Sequence, residues 1–339
     1  MTAVRVAGII AILALGACGG ASDPRSEVSE PRGERIVFSS NRDGDFEIYV
    51  MRPRTRAVRQ LTRNARSGAN AARDEQPTWS PDGRMIAFAS TRDHESNPLS
   101  SYEIYVMNAD GRNQRRLTDG SLGEFAPQWT GDGRILFSAC GRDLRTCRLE
   151  SIRPDGSDRQ RFGNLSPLAV LSGTALSPDG SSIAFVRPET GGFWSGKDAN
   201  IYVSELDGSH ESRLTENAAN DGAPAWSPDG SRIAFVSDRD KNGRCLFHDC
   251  TGNAGEIYVM DADGSRQARL TRDPASDGDP TWSPDGTRIV FTRIADESDD
   301  HDLYVVNADG SCETRLTDGG AWDWMPDIDG DRAGFRPRC

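Results

Sequence analysis

One phrase of sequence recurs along almost the whole chain and limits what the chain can fold into. Its clearest copy spans 224–271 and reads Pro-Ala-Trp-Ser-Pro-Asp-Gly, then Arg-Ile-Ala-Phe-Val, Glu-Ile-Tyr-Val-Met, Asp-Gly and Arg-Leu-Thr. Related copies span 77–118, 127–162, 174–215 and 280–317. A self-similar unit of about 40 to 55 residues, built only from short strands and turn signals, indicates a β-propeller or a related array.

Two tight turns divide each unit into four strands. In Ser-Pro-Asp-Gly, as at 227–230, proline suits the second position of a type I turn and glycine supplies the positive φ that a tight connection needs. The second turn has the Asn-Ala-Asp-Gly form, as at 307–310. In strands such as 233–236 every residue is apolar, so apolar side chains point to both sides of the sheet. This is typical of a sheet that is covered on both faces.

The two ends of the array complete each other. Residues 35–62 match strands two to four of a unit, and 326–330 match the missing first strand. The sequence therefore predicts an all-β fold: a six-bladed β-propeller of four-stranded antiparallel blades, with blade 1 built from 35–62 plus 323–336. In this ring a C-terminal strand joins an N-terminal three-stranded blade, so that no sheet edge stays open. Residues 332–335 also resemble a second strand and compete with 35–38 for that place.

Four tryptophans occupy the same position in strand one of their units. We expect them to be core between blades, and stacking on a sugar is the alternative. They are Trp79, Trp129, Trp226 and Trp282.

The first residues carry an export signal. An apolar run of about ten residues is too short to span a bilayer, so 1–17 are predicted to be a signal peptide. Leu-Gly-Ala-Cys at 15–18 resembles the lipobox of bacterial lipoproteins, which implies acylation of Cys18; an ordinary secretory signal is the alternative. Residues 18–34 have no apolar periodicity and are predicted to be a disordered tether before the propeller at 35–339.

The remaining cysteines fit an oxidising compartment. Without Cys18 the chain has six, an even number. Proximity in sequence favours the pairs Cys140–Cys147 and Cys245–Cys250, which leaves Cys312 with Cys339, although six cysteines allow 15 pairings. Metal binding is the weaker interpretation, because no CxxC and no histidine at ligand spacing accompany them.

The formal net charge is −12, and −13 once Arg5 is removed with the signal peptide. Such a charge argues against nucleic acid and anionic headgroups as partners, which leaves a lipid anchor as the expected contact with a membrane.

The repeated phrases resemble the WD40-like repeat of the TolB family, the periplasmic six-bladed propeller of the Tol-Pal system. The resemblance covers about 35–336 and implies a propeller in the cell envelope. TolB itself has an α/β domain before its propeller, where this sequence has the predicted tether.

Aligned repeats place an acidic residue three positions before the strand-one proline in five blades, while blade 4 has Leu171 there. Since strand one is innermost in a propeller, we expect these carboxylates to ring the mouth of the central channel and to attract cationic groups. The alternative is that each accepts backbone hydrogen bonds within its own turn. The five are Asp74, Glu124, Asp221, Asp277 and Asp323.

The long connections share one face with this acidic ring, and long loops on a rigid scaffold often bind ligands. One of them is acidic, and Asp296, Asp299 and Asp300 are weak candidates for a Ca²⁺ site, although the Gly-punctuated spacing of a Ca²⁺ loop is missing. No Gly-x-Ser-x-Gly, His-Glu-x-x-His or phosphate-binding glycine loop occurs in the sequence.

These patterns predict a non-enzymatic, lipid-anchored binding module of the bacterial envelope, either on the periplasmic side of a membrane or at the cell surface. It is expected to be a monomer without cofactor that binds a basic or extended peptide segment of an envelope protein on the loop-rich face. The alternatives are a metal-dependent hydrolase or lactonase with its site at the channel mouth, and a carbohydrate-binding propeller.

Overall fold

The computed structural model describes residues 33–64, 72–93, 102–119, 122–141, 146–162, 173–189, 198–241, 254–295 and 300–330. These residues form 24 strands in six four-stranded antiparallel sheets, which confirms the six-bladed propeller. Within the same ranges, no helix has the length and apolar character needed to cross a membrane.

Each blade is one sheet whose strands follow one another from the channel outward. Blade 1 contains β1 (Arg35–Ser40), β2 (Glu47–Arg52), β3 (Ala57–Gln60) and β24 (Asp323–Asp329). Blade 2 contains β4 (Asp74–Trp79), β5 (Met85–Ser90), β6 (Glu103–Asn108) and β7 (Arg115–Arg116), and blade 3 contains β8 (Gly123–Trp129), β9 (Ile135–Cys140), β10 (Cys147–Ile152) and β11 (Gln160–Phe162). Blade 4 contains β12 (Thr174–Leu176), β13 (Ser182–Pro188), β14 (Ala199–Glu205) and β15 (Ser212–Arg213). Blade 5 contains β16 (Asp221–Trp226), β17 (Arg232–Ser237), β18 (Glu256–Asp261) and β19 (Ala268–Arg269), and blade 6 contains β20 (Ser276–Trp282), β21 (Arg288–Ile294), β22 (His301–Asn307) and β23 (Thr314–Arg315).

Blade 1 closes the ring as the sequence predicts. Its inner strand β24 pairs antiparallel with β1, with Ile328 opposite Ile36 and Asp329 opposite Arg35. The second strand of blade 1, for which 332–335 is the alternative candidate, is therefore β1. Residues 331–339 lie outside the described residues.

The apolar residues form one cluster at each junction between successive blades. At the junction of blades 1 and 2, Val37 and Ile48 pack with Trp79 and Phe88. Five equivalent clusters fill the other junctions. This arrangement explains why some strands are apolar on both sides, because each face of a blade packs against a neighbouring blade.

The repeated tryptophans join inner strands of neighbouring blades. Trp79 and Trp282 are buried, while Trp129 and Trp226 are half-buried. Three indole N–H groups donate to a strand-one carbonyl of the preceding blade: Trp129 to Thr78 (3.2 Å), Trp226 to Ala175 (3.1 Å) and Trp282 to Ala225 (3.0 Å). Their place in the structure is the core position that the repeat alignment predicts.

The two faces of the ring differ. The tight-turn face carries the turns between strands one and two and between strands three and four, such as 80–83 and 108–111. The loop-rich face carries the longer connections, and 94–101, 190–197, 242–253 and 296–299 on that side lie outside the described residues.

A β-bulge in the inner strands turns one residue of each blade toward the channel. In five blades the residue before the strand-one proline has a positive φ, for example 57° at Gln76 and 48° at Asp279, and blade 4 has Gly173 there with φ 98°. The strand pairing shifts register at the bulge, as between Gly278 and Thr281. Such a bulge redirects side chains, and here it places them in the channel wall.

The predicted Cys140–Cys147 disulfide is present. The two cysteines face each other across β9 and β10, one position beyond Ala139 and Arg148, the pair that corresponds to Ser90 and Glu103 of blade 2. Cys312 is disulfide-bonded, and its partner lies outside the described residues. Also outside the described residues are Cys18, Cys245, Cys250 and Cys339, so the other two predicted pairs stay predictions.

Candidate functional site

The five carboxylates of the acidic ring lie at the loop-rich end of the inner strands. Asp74, Asp221 and Asp323 begin their strands, while Glu124 and Asp277 are second in theirs. All five are 0 to 2% exposed. They hold equivalent places in five inner strands, and their side chains are covered.

Each ring carboxylate is paired with an arginine of its own blade. The pairs are Asp323 with Arg42 (2.7 Å), Asp74 with Arg92, Glu124 with Arg159, Asp221 with Arg239 (3.1 Å) and Asp277 with Arg293 (2.6 Å). The five negative charges are therefore matched by five positive ones.

The arginines are held in place by aromatic rings. The guanidinium carbon of Arg239 lies 4.6 Å from the ring centroid of Tyr258, and that of Arg293 lies 4.5 Å from Tyr304. The same contact is made by Arg42 and Arg92 on Tyr49 and Tyr105, both at 4.9 Å, and by Arg159 on Phe137 at 5.3 Å. A cation over an aromatic face is attracted by the ring quadrupole, so carboxylate, guanidinium and ring form one stabilising unit in each blade.

Blade 4 departs from this pattern. Leu171 lies outside the described residues. Arg187 still lies over an aromatic ring, 3.7 Å from the centroid of Tyr202, but it pairs with Glu211 near the outer strand.

Carboxyl groups also meet across blade junctions. Glu103 of blade 2 is hydrogen-bonded to Glu124 of blade 3, and burial together with this contact raises the pKa of Glu103 to about 8. Burial and the charge of Asp74 likewise raise the pKa of Glu47 to about 8. For Asp277, burial raises the pKa to about 7 against the opposing effect of Arg293. Because raised pKa values favour the protonated forms of Glu47, Glu103 and Asp277, they add to the arginines in limiting the negative charge in and beside the ring.

A cavity of about 270 Å³ opens on the loop-rich face across blades 4 to 6 and the start of β24. We call it the mouth cavity. It is lined by ring members Asp221 and Asp277, by Asp238, Asp279, His301 and Trp324, and by apolar residues that include Val186, Val236 and Ile294.

Two acidic side chains in this cavity have no cationic partner among the described residues. The carboxylate of Asp238 accepts hydrogen bonds from Asn220, through its backbone N (2.8 Å) and its Nδ2 (2.9 Å). Asp279 is the bulge residue of blade 6, and its carboxylate accepts from the backbone N–H of Met325 and weakly from Thr292 (3.5 Å). Burial raises the pKa of Asp279. A cation placed here would stabilise both carboxylates.

A second cavity of about 370 Å³ occupies the central channel and is lined by inner-strand residues of all six blades. Asp279 lines this channel cavity as well as the mouth cavity. Asp327 also faces it; it accepts hydrogen bonds from the hydroxyl of Thr78 (3.0 Å) and the backbone of Trp79 (2.7 Å), and burial raises its pKa.

His301 and Trp324 line the mouth cavity on its blade 1 side, and each contacts a further aromatic ring. His301 and Trp322 stack with centroids 4.5 Å apart, and Phe46 and Trp324 lie 5.4 Å apart. We call these four residues the aromatic cluster. Together with Asp238 and Asp279 they combine π faces with negative charge, a setting that favours a cationic side chain.

Sequence reasoning identified the ring but missed Asp238, Asp279, His301 and Trp324. Asp279 stands where the other repeats have Gln76, Ala126, Gly173, Ala223 and Met325, so a lone acid at that alignment column was a usable signal. Of the Ca²⁺ candidates, Asp296 and Asp299 lie outside the described residues, while Asp300 precedes β22. The described residues contain no group of three His, Cys, Asp or Glu side chains arranged to hold a metal ion.

The fold and this mouth define a six-bladed β-propeller whose inner strands surround a central channel. Its sequence matches the model of the TolB beta propeller domain over residues 24–136 and 93–254. The chain belongs to the TolB beta propeller domain family.

Individual relatives show how far the likeness extends. The Tol-Pal system protein TolB of Anaeromyxobacter dehalogenans (strain 2CP-1) is 32% identical over 187 residues, which cover 53% of this chain and 37% of that protein. The "Uncharacterized peptidase YuxL" of Bacillus subtilis is 28% identical over 129 residues, which cover 38% of this chain and 18% of that protein. The matched part is thus a minor share of both relatives. The crystal structure of TolB from Acinetobacter baumannii superposes with a TM-score of 0.64 at 20% identity, covering 87% of this chain and 66% of that one, and shows the shared fold.

Proposed function

We propose that this protein is a binding module of the bacterial cell envelope that holds a basic, extended peptide segment of an envelope protein at the mouth cavity. The observation that carries the proposal is Asp279, which lines both the mouth cavity and the channel cavity and has no cationic partner among the described residues.

The chemistry of the mouth cavity supports a cationic ligand. Asp238 and Asp279 supply negative charge that no arginine among the described residues balances, while His301 and Trp324 offer aromatic faces. The apolar lining suits the aliphatic stem of a lysine or arginine. A cavity of about 270 Å³ accommodates one such side chain, with the channel beyond it for more of the peptide.

The acidic ring has a supporting part in this proposal. Asp221 and Asp277 border the mouth cavity and hold Arg239 and Arg293 against their aromatic rings. Asp74, Glu124 and Asp323 hold equivalent arginines around the rest of the mouth. The ring thereby fixes the shape of the mouth that the peptide meets.

We further propose that residues 1–17 are removed, that Cys18 is acylated and that the residues from there to Gly33 tether the propeller to a membrane as a monomer, while Glu34 is buried on the propeller and paired with Arg288 (2.8 Å). The similarity to Tol-Pal system TolB supports an envelope location.

The proposal is tested by site-specific photo-crosslinking in native envelopes. A crosslinking residue is placed at Val236 in the mouth cavity or at Ser231 on the tight-turn face. We expect a partner to be captured from position 236 and not from position 231.

A matched pair of charge variants sharpens this test. Asp238→Asn with Asp279→Asn removes the unbalanced charge of the mouth, whereas Asp263→Asn with Asp309→Asn removes the same charge from exposed tight turns. We expect the first pair to abolish capture and the second to preserve it, with both variants melting near the wild-type temperature. Equal capture from both crosslinking positions, or full capture by the mouth variant, contradicts the proposal.

A further inference from the structure

The turn between strands three and four of blade 1 differs in charge from its equivalents. Residues 48–73 contain seven arginines and no acidic residue, in a chain whose net charge is −12. The other five blades carry an aspartate in this turn, namely Asp110, Asp155, Asp207, Asp263 and Asp309.

Four of these arginines form what we call the basic patch: Arg52, Arg54, Arg56 and Arg59. All four are exposed. Among the described residues, none of them has an ion pair; Arg56 and Arg59 donate only to the backbone carbonyls of Arg315 (3.1 Å) and Asp110 (3.0 Å). Their charge is therefore available to an anion.

A groove of about 410 Å³ lies beside the basic patch, between blade 1 and the turn of blade 2. Val50, Met51 and Val58 line it, and it is bordered by Arg52 and Arg59, by Arg35, which is paired with Asp329, and by Asp110. In the described part of the chain, Val58 is the one large hydrophobic residue that is exposed, with 36% of its surface accessible. A basic rim around a small apolar surface is typical of sites that meet lipid headgroups.

The position of the patch also matters. β1 starts at the tight-turn face and β2 ends there, so Arg35 and Arg52 lie at the same edge. Residues 33 and 34, which precede β1, reach the ring at this face. If Cys18 is acylated, the 15 residues from it to Gly33 span at most about 50 Å, which is long enough for this face to reach the bilayer.

We propose that the basic patch docks the propeller onto the anionic phospholipid surface of a membrane, with the tight-turn face toward the bilayer and the mouth cavity facing away. The negative net charge of the whole chain does not prevent this, because at physiological salt charges more than about 8 Å apart are largely screened. The sequence-level expectation that anionic headgroups are excluded describes the average surface and misses this local cluster. Docking and peptide binding use opposite faces, so either can fail without the other.

The test uses the predicted mature chain, residues 18–339, with Cys18→Ser, so that neither the apolar leader nor an acyl chain contributes to binding. Sedimentation is measured with vesicles of phosphatidylcholine containing about one third phosphatidylglycerol, and with vesicles of phosphatidylcholine alone. The test variant is Arg52→Gln with Arg54→Gln. The control is Arg153→Gln with Arg266→Gln, which removes the same charge from equivalent turns of blades 3 and 5, where each arginine is paired with an aspartate.

We expect salt-sensitive binding to the anionic vesicles only. Each arginine near an anionic surface strengthens binding about fivefold, so the test variant should bind about tenfold or more weakly, and the control within about twofold of the wild type. All proteins should melt at similar temperatures, since the substituted side chains are exposed. Absence of binding to anionic vesicles, equal binding to both vesicle types, or equal loss in both variants overturns the proposal. Binding to poly-glutamate without binding to vesicles assigns the patch to an acidic protein instead and overturns it too.

Discussion

The ion pair between Asp323 and Arg42 joins the two ends of the chain within blade 1, and its removal should lower stability measurably. Asp323 begins the closing strand β24, and Arg42 follows β1. Both carboxylate oxygens accept hydrogen bonds of 2.7 Å from Nη2 of Arg42. The side chain of Asp323 is 3% exposed and that of Arg42 is 28% exposed.

The magnitude follows from this geometry. Breaking a fully buried ion pair by removing one partner costs about 3 to 5 kcal/mol. Arg42 keeps partial contact with water and with the ring of Tyr49, so the guanidinium left behind is partly stabilised. Loss of Asp323 also relieves its repulsion of Asp302, whose pKa is raised by burial and, to a smaller extent, by that charge. We therefore expect Asp323→Asn to cost about 2 to 3 kcal/mol.

The assay is a double-mutant cycle. Urea unfolding, followed by tryptophan fluorescence, gives the free energy of unfolding for the wild type, Asp323→Asn, Arg42→Gln and the double variant. We expect a coupling energy of about 1.5 kcal/mol or more. Asp309→Asn, in an exposed tight turn, is the control and should change stability by less than about 0.5 kcal/mol. A coupling energy below about 0.5 kcal/mol would refute the structural role assigned to the ring and favour carboxylates that are free to meet a ligand.

Two further predictions concern the junctions between blades. Gly156 and Gly264 hold the same turn position with the same φ of 86°, but a Cβ on Gly264 would lie 2.7 Å from the carbonyl oxygen of Leu214 in blade 4, whereas one on Gly156 meets nothing closer than 4.0 Å. Gly264→Ala should therefore lower the free energy of unfolding by about 1 to 3 kcal/mol more than Gly156→Ala, and equal losses in urea unfolding would show that only φ matters. The second prediction is a pH dependence. The pKa of Glu103 is raised to about 8 in the folded state, so the folded protein holds a proton that the unfolded chain releases near pH 4.5. The contribution of Glu103 to the free energy of unfolding should therefore fall as pH rises from about 4.5 to about 8 and level off above that. Glu103→Gln should flatten this part of the pH profile of the free energy of unfolding, and an unchanged slope in the variant would contradict the assignment.

Most of the fold could be predicted because its determinants are local and repeated. The Ser-Pro-Asp-Gly turns, the doubly apolar strands and the match of 326–330 to a missing first strand follow from short stretches of chain. The bulge was not predictable in this way. The residue before a proline usually takes an extended conformation, yet Ala223 before Pro224 has a φ of 45° because the inner strand must bend around the channel.

The site was less accessible because the arginine partners come from another part of the repeat, and not from the same part in every blade. The ring carboxylates share one alignment column and Arg42, Arg92 and Arg239 share another after the second strand, but Arg293 lies within β21 and Arg159 precedes β11. Alignment of strand one alone therefore revealed the acids without the bases. The proximity of Asp238 and Asp279 becomes visible only when blades 5 and 6 are placed side by side, since the two residues are far apart in the repeat.

The closure of blade 1 has a consequence for the order in which the protein can mature. Ile36 and its inner-strand partner Ile328 are separated by almost the whole chain, and joining two points about 300 residues apart costs about 5 kcal/mol of loop entropy. During synthesis and export the other blades can assemble while one edge of β1 is still unpaired. An unpaired strand edge of this kind can pair with strands of other chains. Only the arrival of β24 removes that edge. A chain that ends before Asp323 would therefore keep five complete blades and an unpaired edge on β1. Proteases of the compartment could distinguish this open form from the closed ring.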